Sequence, residues 1–392
     1  MTATREWNVT LGDQDPTNDR ASERSMFADK RIVIGGGVLL VAVIALGLSL
    51  GGNSGSGDGV TTTTTAQNVQ TTSSILGAAT PTTAARADSS GSISTPPTTA
   101  TPVSVNPLTG EGLDSVNTGQ VIAVKIDNAP AAQGQIGMRE AGMVFEVPVE
   151  GGLTRFTALF FDTVPVGVGP ARSIRPVDGD LLAPFNPVIV TTGGRPWVVR
   201  EVEATGAIVL TGDEYFEEIL RQPPSNLLAL AARANAGATG GPPGTEPFRF
   251  GDGFDGSPVS SINIPLSGVM DVTWTTGGDG WKRSQNGSVF QVADLFDSDP
   301  TDYSVDTVVV MMVAERSAGY QDTAGAVVPT FDVIGFGKVM VFNDGKVVEG
   351  EWRRGSQKDG WILISDTGEE ILLPKGRVFV EIVPRYVDVT FN

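Results

Sequence analysis

The 392-residue chain contains no cysteine and no histidine. Without cysteine there is no disulfide, no thiol nucleophile and no thiolate zinc site. A folded region of ~290 residues must then hold by burial alone, which that length permits. Without histidine there is no imidazole general base, so Ser-His-Asp hydrolases, papain-like proteases and zincins are excluded together. Any catalysis would rest on carboxylates, Lys, Arg, Tyr, Ser, Thr or an oxygen-bound metal. Basic residues are scarce as well: 27 Lys and Arg stand against 45 Asp and Glu, a formal net charge of −18. Such a surface repels nucleic acid, and no basic cluster offsets it, so no nucleic-acid partner is expected. A salt-adapted host would produce the same acidic excess.

What is present begins with one apolar run. Residues 32–50 are 19 in a row without a charge. At 1.5 Å per residue they reach ~28 Å, close to the hydrocarbon thickness of a bilayer. Arg24, Lys30 and Arg31 precede the run, and no Lys or Arg follows until Arg86. The positive-inside rule therefore places the N-terminus in the cytoplasm. The run exceeds a usual signal-peptide core, so the reading is a retained signal anchor. Residues 1–31 are then a cytoplasmic tail, 32–50 a transmembrane helix in the cell membrane, and the C-terminal part extracytoplasmic. Residues 51–104 are rich in Gly, Ser, Thr, Pro and Ala, with an unbroken Thr run from Thr61 to Thr65. Too few large apolar side chains are available to offset chain entropy, so a disordered stalk is expected.

Beyond the stalk two textures follow. Between 105 and 250, strand-like runs (121–126, 143–148, 155–161, 188–192, 207–210) alternate with helical ones, chiefly 225–236 with a shorter piece at 180–183. This predicts an α/β or α+β domain. Residues 237–261 carry many Gly and Pro, which places a boundary there. From 262 to 392 the pattern predicts a mainly antiparallel β domain, with runs at 305–313, 338–342, 346–352, 361–365, 370–373 and 378–383. Asn343-Asp344-Gly345 predicts a hairpin turn, since Asp-Gly tolerates positive φ. Asp366-Thr367-Gly368 predicts another.

One stretch is unusual. Between Lys125 and Asp178, charged residues sit among apolar, Gly or Pro neighbours: Asp127, Arg139, Glu146, Glu150, Arg155, Arg172, Arg175 and Asp178. Isolated charges in such company are costly, so they should be paired or should hold a ligand. Arg forks suit carboxylate or phosphate groups. Asp127, Asn128, Glu150, Arg155, Arg172 and Arg175 are expected to converge in space.

The same residues carry a resemblance. Asn106-Pro-Leu-Thr-Gly110, Ile126-Asp127-Asn128, Glu150-Gly-Gly-Leu-Thr-Arg155-Phe156 and Gly169-Pro-Ala-Arg172-Ser-Ile-Arg175-Pro176 occur in order. Val333-Ile-Gly-Phe-Gly-Lys338, Gly350-Glu351-Trp352 and Pro374-Lys-Gly-Arg377 follow. Together, over about 106–385, they resemble the YerB-like family of bacterial envelope lipoproteins, a domain-of-unknown-function family divided into N- and C-terminal parts. The resemblance implies location and fold more than activity. It also implies histidines after the Asp-Asn pair and in a Pro-His-Asn triplet, where this chain has Ala129 and Ser225. Arg221 and Asn226 remain around the second position. The lipobox cysteine of such lipoproteins is missing too.

The ligand-binding candidates are therefore Asp127, Asn128, Glu146, Glu150, Arg155, Arg172, Arg175, Asp178, Arg221 and Asn226, with no metal and no cofactor expected. Asp252-Gly-Phe-Asp255-Gly256 resembles a fragment of a calcium loop but lacks its alternating ligands and closing Glu. Trp274, Trp281, Trp352 and Trp361 read as core rather than as a sugar-stacking face. The leading functional expectation is an extracytoplasmic binding or scaffold module of the envelope, with a wall component or another envelope protein as partner. The alternative is a carboxylate-dependent enzyme acting on wall glycan or peptide, with Asp127, Glu146 or Glu150 as acid and base.

Overall fold

The computed structural model describes residues 103–296 and 299–392. The expected tail, transmembrane helix and nearly all of the stalk lie outside them. Among the described residues no helix is long and apolar enough to cross a membrane. The expected α/β architecture requires correction, because strands take 46% of the described residues and helices 11%.

One large mixed sheet runs through both halves of the chain. Its principal strands in the first half are β1 (Ile122–Asp127), β2 (Met143–Pro148), β3 (Thr154–Phe160), β4 (Val188–Val190) and β5 (Ile208–Leu210). A smaller antiparallel sheet follows, built on β6 (Ser261–Ser267), β7 (Met270–Gly277) and β8 (Gly280–Gln285). The large sheet then resumes with β9 (Thr307–Gln321), β10 (Val327–Asp332), β11 (Gly335–Asn343), β12 (Lys346–Arg354) and β13 (Val378–Pro384). Its spatial order is β12-β11-β9-β13-β2-β3-β1-β4-β5, with β10 continuing the pairing along β9.

The C-terminal half is not the simple antiparallel meander its pattern predicts. β13 runs parallel to both neighbours, β9 and β2, and so joins the two halves edge to edge. Strands buried on both faces read as near-continuous apolar runs, and β13 (VFVEIVP) and the first half of β9 (TVVVMMV) do so. Alternation then assigns each side chain to a face. Ile122, Val124, Ile126, Phe156, Phe379 and Val383 pack with the smaller sheet. Ala123, Phe145, Leu159, Val380 and Ile382 pack on the opposite face with α1 (Val177–Leu182) and α2 (Pro196–Ala204).

The Leu/Ala-rich stretch 225–236 splits. Leu227–Ala229 pairs as a strand with Phe216–Glu218, and only Ala231–Ala236 is helical. A short apolar run does not distinguish helix from buried strand by periodicity alone. Residues 370–373 form only isolated bridges. The hairpin turn is where the sequence predicts it. Asn343 pairs with Lys346, and Asp344 (φ 45°) and Gly345 (φ 67°) both take the left-handed conformation. Trp274, Trp281, Trp352 and Trp361 are all at most 1% exposed, which removes any sugar-stacking face.

Candidate functional site

β1 and β3 pair so that Asp127 lies opposite Arg155 and Lys125 opposite Thr157. These side chains share the face that packs on α1. Lys125 is sealed there: its Nζ lies 2.7 Å from Asp178 Oδ1 and donates to Thr157 Oγ1 at 2.9 Å. Burial lowers the Lys125 pKa, against the raising effect of the Asp178 charge and hydrogen bond. Asp178 Oδ2 accepts the Arg175 backbone N–H at 2.6 Å, so the lysine fixes the start of α1 to the sheet.

After β2 the chain turns through Gly151 and Gly152, at φ 74° and 73°. At Gly152 the backbone approaches the smaller sheet, where Ser267 Oγ donates to its carbonyl at 2.6 Å. The turn carries Glu150 back over Arg155. Glu150 accepts from Arg155 Nη2 at 3.2 Å and from Arg175 Nε at 2.8 Å, while Arg175 Nη2 donates to its other oxygen. Burial pulls the Glu150 carboxyl up, but the Arg175 hydrogen bond and the two guanidinium charges outweigh it, and its pKa is lowered. Arg155 also donates to Ser173 O at 2.7 Å. Burial first, then the neighbouring Arg175 and Arg172 charges, bring Arg155 down to about 10.

Asp127 Oδ2 accepts from Ser225 Oγ at 2.7 Å and lies 3.4 Å from Arg172 Nε. That Nε is buried and has no hydrogen-bond partner among the described residues. Asp127, Glu150, Arg155 and Arg172 together line a cavity of ≈ 230 Å³. Its remaining wall includes Asp322, Ala324 and Ala326 at the tip of the ribbon formed by the outer part of β9 with β10. Arg195 Nη2 donates to Gln321 O at 2.7 Å, and Trp197 packs edge-on against Tyr320, which ties the ribbon to the start of α2.

A second polar layer lies on the other face, between the two sheets. Glu146 Oε1 accepts from Thr154 Oγ1 at 2.6 Å and Asn128 Nδ2 at 3.2 Å, and Oε2 from Arg283 Nη2 at 2.7 Å. Asn128 also donates to Gln285 at 2.9 Å. The Arg283 guanidinium is stacked among Phe156, Phe290 and Phe379. Glu381 is the cross-strand neighbour of Glu146 on β13 and accepts from Trp274 Nε1 at 2.9 Å. Glu146, Arg283 and Glu381 are all fully buried. Burial, then the Glu146 charge, raise the Glu381 pKa well above its ordinary value.

The expected convergence therefore divides. Asp127, Glu150, Arg155 and Arg172 meet at the cavity, with Arg175 behind Glu150 and Asp178 behind Arg175. Asn128 and Glu146 belong to the sealed layer, because a residue one position along a strand faces the other way. Arg221 is structural, donating to the carbonyls of Ala132 at 2.8 Å and Gly134 at 2.6 Å. Asn226 contributes its carbonyl to Ile219 N–H and does not line the cavity. Arg139 lies apart, 4.0 Å from Asp294. In the suspected calcium fragment, Asp252 and Asp255 pair with Lys375 and Lys346. Sequence reasoning missed Lys125, Arg283, Glu381 and Asp322. Glu381 carried the same signal that marked the others, a lone charge amid apolar strand residues.

Comparison with known proteins agrees with this architecture. A description given as protein of unknown function (DUF3048), N-terminal domain, matches residues 108–240, and its C-terminal counterpart matches residues 262–380. A Bacillus subtilis (strain 168) protein described as "Putative lipoprotein YerB" is 25% identical over 299 residues, covering 71% of this chain and 86% of that protein. The crystal structure of YerB protein from Bacillus subtilis superposes with a TM-score of 0.60 at 21% identity, covering 73% of this chain and 99% of the other. At that identity the likeness shows the fold alone.

Proposed function

We propose that this chain, which belongs to the DUF3048 family, is an extracytoplasmic binding module of the bacterial cell envelope that holds a ligand beneath the ribbon tip without acting on it chemically. One observation carries the reading: each carboxylate that the sequence offered as acid or base is already engaged. Glu150 is held by two arginines, Asp127 by Ser225 and Arg172, and Glu146 by Arg283 away from the cavity. A glycosidase pair needs one carboxyl kept protonated across a cleft from its partner. In the cavity the Glu150 pKa is instead lowered, by guanidinium contacts that keep the carboxylate ionised. The lipoprotein description of the Bacillus subtilis relative supports an envelope address, where wall components and other envelope proteins are the available partners.

The test is co-sedimentation of the full-length chain with purified cell wall and with envelope extract. Saturable retention with no release of soluble glycan or peptide is the expected result. Release of new reducing ends or free amines, abolished by Glu150→Gln, would establish the enzyme reading instead.

A further inference from the structure

We infer that the cavity beneath the ribbon tip takes a carboxylate-bearing ligand of amino-acid or short-peptide size, anchored on Arg172. The inference rests on the binding-module reading and names the ligand class for that site. Its first support is a guanidinium with donors to spare, ion-paired with Asp127 at 3.4 Å. Lys125 is committed to Thr157 and Asp178, Arg155 to Ser173 and Glu150, and Arg175 to Glu150 and Ile174. Arg172 lines the cavity, and its side chain donates no hydrogen bond among the described residues, although its Nε is buried. A guanidinium offers five N–H donors in a planar fork that matches a carboxylate.

Charge gives the second support. The cluster and the ribbon tip together hold four cations, Lys125, Arg155, Arg172 and Arg175, against four carboxylates, Asp127, Glu150, Asp178 and Asp322. A ligand whose carboxylate is matched by its own ammonium keeps that balance. Around Arg155 the guanidinium charges are crowded, and they add to the effect of burial in lowering its pKa. A phosphate dianion would overshoot, and Asp127, Glu150 and Asp322 all line the same space.

The third support is size and polarity. The ≈ 230 Å³ volume falls below the ~300–1,000 Å³ of drug-sized pockets, so a few heavy atoms fill it. Asp322 spends Oδ1 on the N–H groups of Ala324 and Ala326 at 2.9 and 2.8 Å, which leaves Oδ2 for a positive or N–H group of the ligand. A neighbouring cavity of ≈ 320 Å³ shares Val149, Glu150, Gly151 and Leu153 as wall, giving room for further residues of a peptide.

Isothermal titration of the full-length chain decides the matter. The probes are Ala-Ala in both L,L and D,D forms, its C-terminal amide, its N-acetyl derivative and inorganic phosphate. One dipeptide enantiomer should bind saturably and its amide at least tenfold more weakly. Arg172→Gln should give the same loss in a protein that stays folded at the assay temperature, its Tm lowered at most by the loss of the Asp127 ion pair, and Arg172→Lys an intermediate one. Asp322→Asn should erase the difference between the free and N-acetylated dipeptides. Phosphate binding as tightly as the dipeptide, an amide equal to the acid, or no saturation by any dipeptide would overturn the inference. Wall co-sedimentation retained by Arg172→Gln would leave the module reading standing while the carboxylate anchor falls. Absence of wall or envelope binding by the wild type would remove the module reading itself.

Discussion

Glu381→Gln is the sharpest test of how the sealed layer is held. Glu381 Oε1 accepts the Trp274 indole N–H at 2.9 Å, while Oε2 is buried and meets no N–H or O–H donor among the described residues. Its neighbour in register, Glu146, already accepts from Thr154, Asn128 and Arg283. One arginine thus serves two carboxyl groups on adjacent strands. A proton on Glu381 satisfies Oε2 by donation toward Glu146 and avoids a second buried negative charge. Burial first, then the Glu146 charge, raise its folded pKa well above 4.5. Because that pKa is raised, the native state binds the proton more tightly than the unfolded chain. Stability is therefore undiminished below the unfolded value and falls as pH rises toward the folded one, by about 1.4 kcal/mol per pH unit.

Glutamine needs no proton. Its carbonyl keeps the Trp274 bond, and its amide donates where the acid proton stood. Urea melts of wild type and Glu381→Gln from pH 4 to 8 isolate this carboxyl and its coupling to Glu146, because titrations elsewhere in the chain cancel in the difference. The difference should tilt toward the variant by about 1.4 kcal/mol for each pH unit above roughly 4.5, until the folded value is reached. A difference independent of pH would refute the reasoning, since it would mean that Glu381 titrates alike in both states. As a companion, Glu381→Met should remove the indole's acceptor at a cost of about 1–3 kcal/mol.

Lys125→Met leaves Asp178 fully buried without its cation, and should cost about 3–5 kcal/mol in urea melts. Most of that loss should return in the Lys125→Met/Asp178→Leu double variant. Arg155→Ala should cost less, about 1–3 kcal/mol, because Glu150 keeps the Arg175 contacts; a loss above roughly 5 kcal/mol would show that Arg175 does not hold it. Gly345→Ala should cost about 1 kcal/mol from backbone conformation alone, since at φ 67° the added Cβ meets nothing nearer than 3.6 Å.

Much of the sheet was legible because burial on both faces writes itself as apolar runs. Met143–Pro148 emerges with its expected bounds, and the Asp344-Gly345 turn with its expected positive φ. Order in the sheet was not legible. Nothing local in residues 378–384 says that the strand inserts, parallel, between β9 and β2, since parallel pairing at that separation leaves no turn signature. The α/β reading failed for a different reason: Leu227–Ala229 pairs antiparallel with nearby Phe216–Glu218, but so short an apolar run carries no period that separates strand from helix. The polar constellation was visible as charges in apolar company, but that signal does not report which face each charge takes. Asp127 and Asn128 are adjacent and serve different layers.

Three arginines show how the same residue type divides between those roles. Arg283 is fully buried, salt-bridged to Glu146 and enclosed by three phenylalanine rings, so its charge is consumed by the fold. Arg155 is 5% exposed and touches the cavity, yet its donors go to Ser173 and Glu150. Its work is to hold the turn after β2 against β3. Arg172 is 23% exposed and sits on the same cavity, and its side chain donates no hydrogen bond among the described residues. A half-buried guanidinium without hydrogen bonds recovers little of its desolvation cost until a ligand supplies acceptors. The three sequence contexts do not differ in composition enough to rank these roles. What ranks them is the geometry of partners, supplied by the turn at Gly151-Gly152, the neighbouring strand β13 and the ribbon tip. Arg172 is thus the position where a substitution is expected to separate binding from stability.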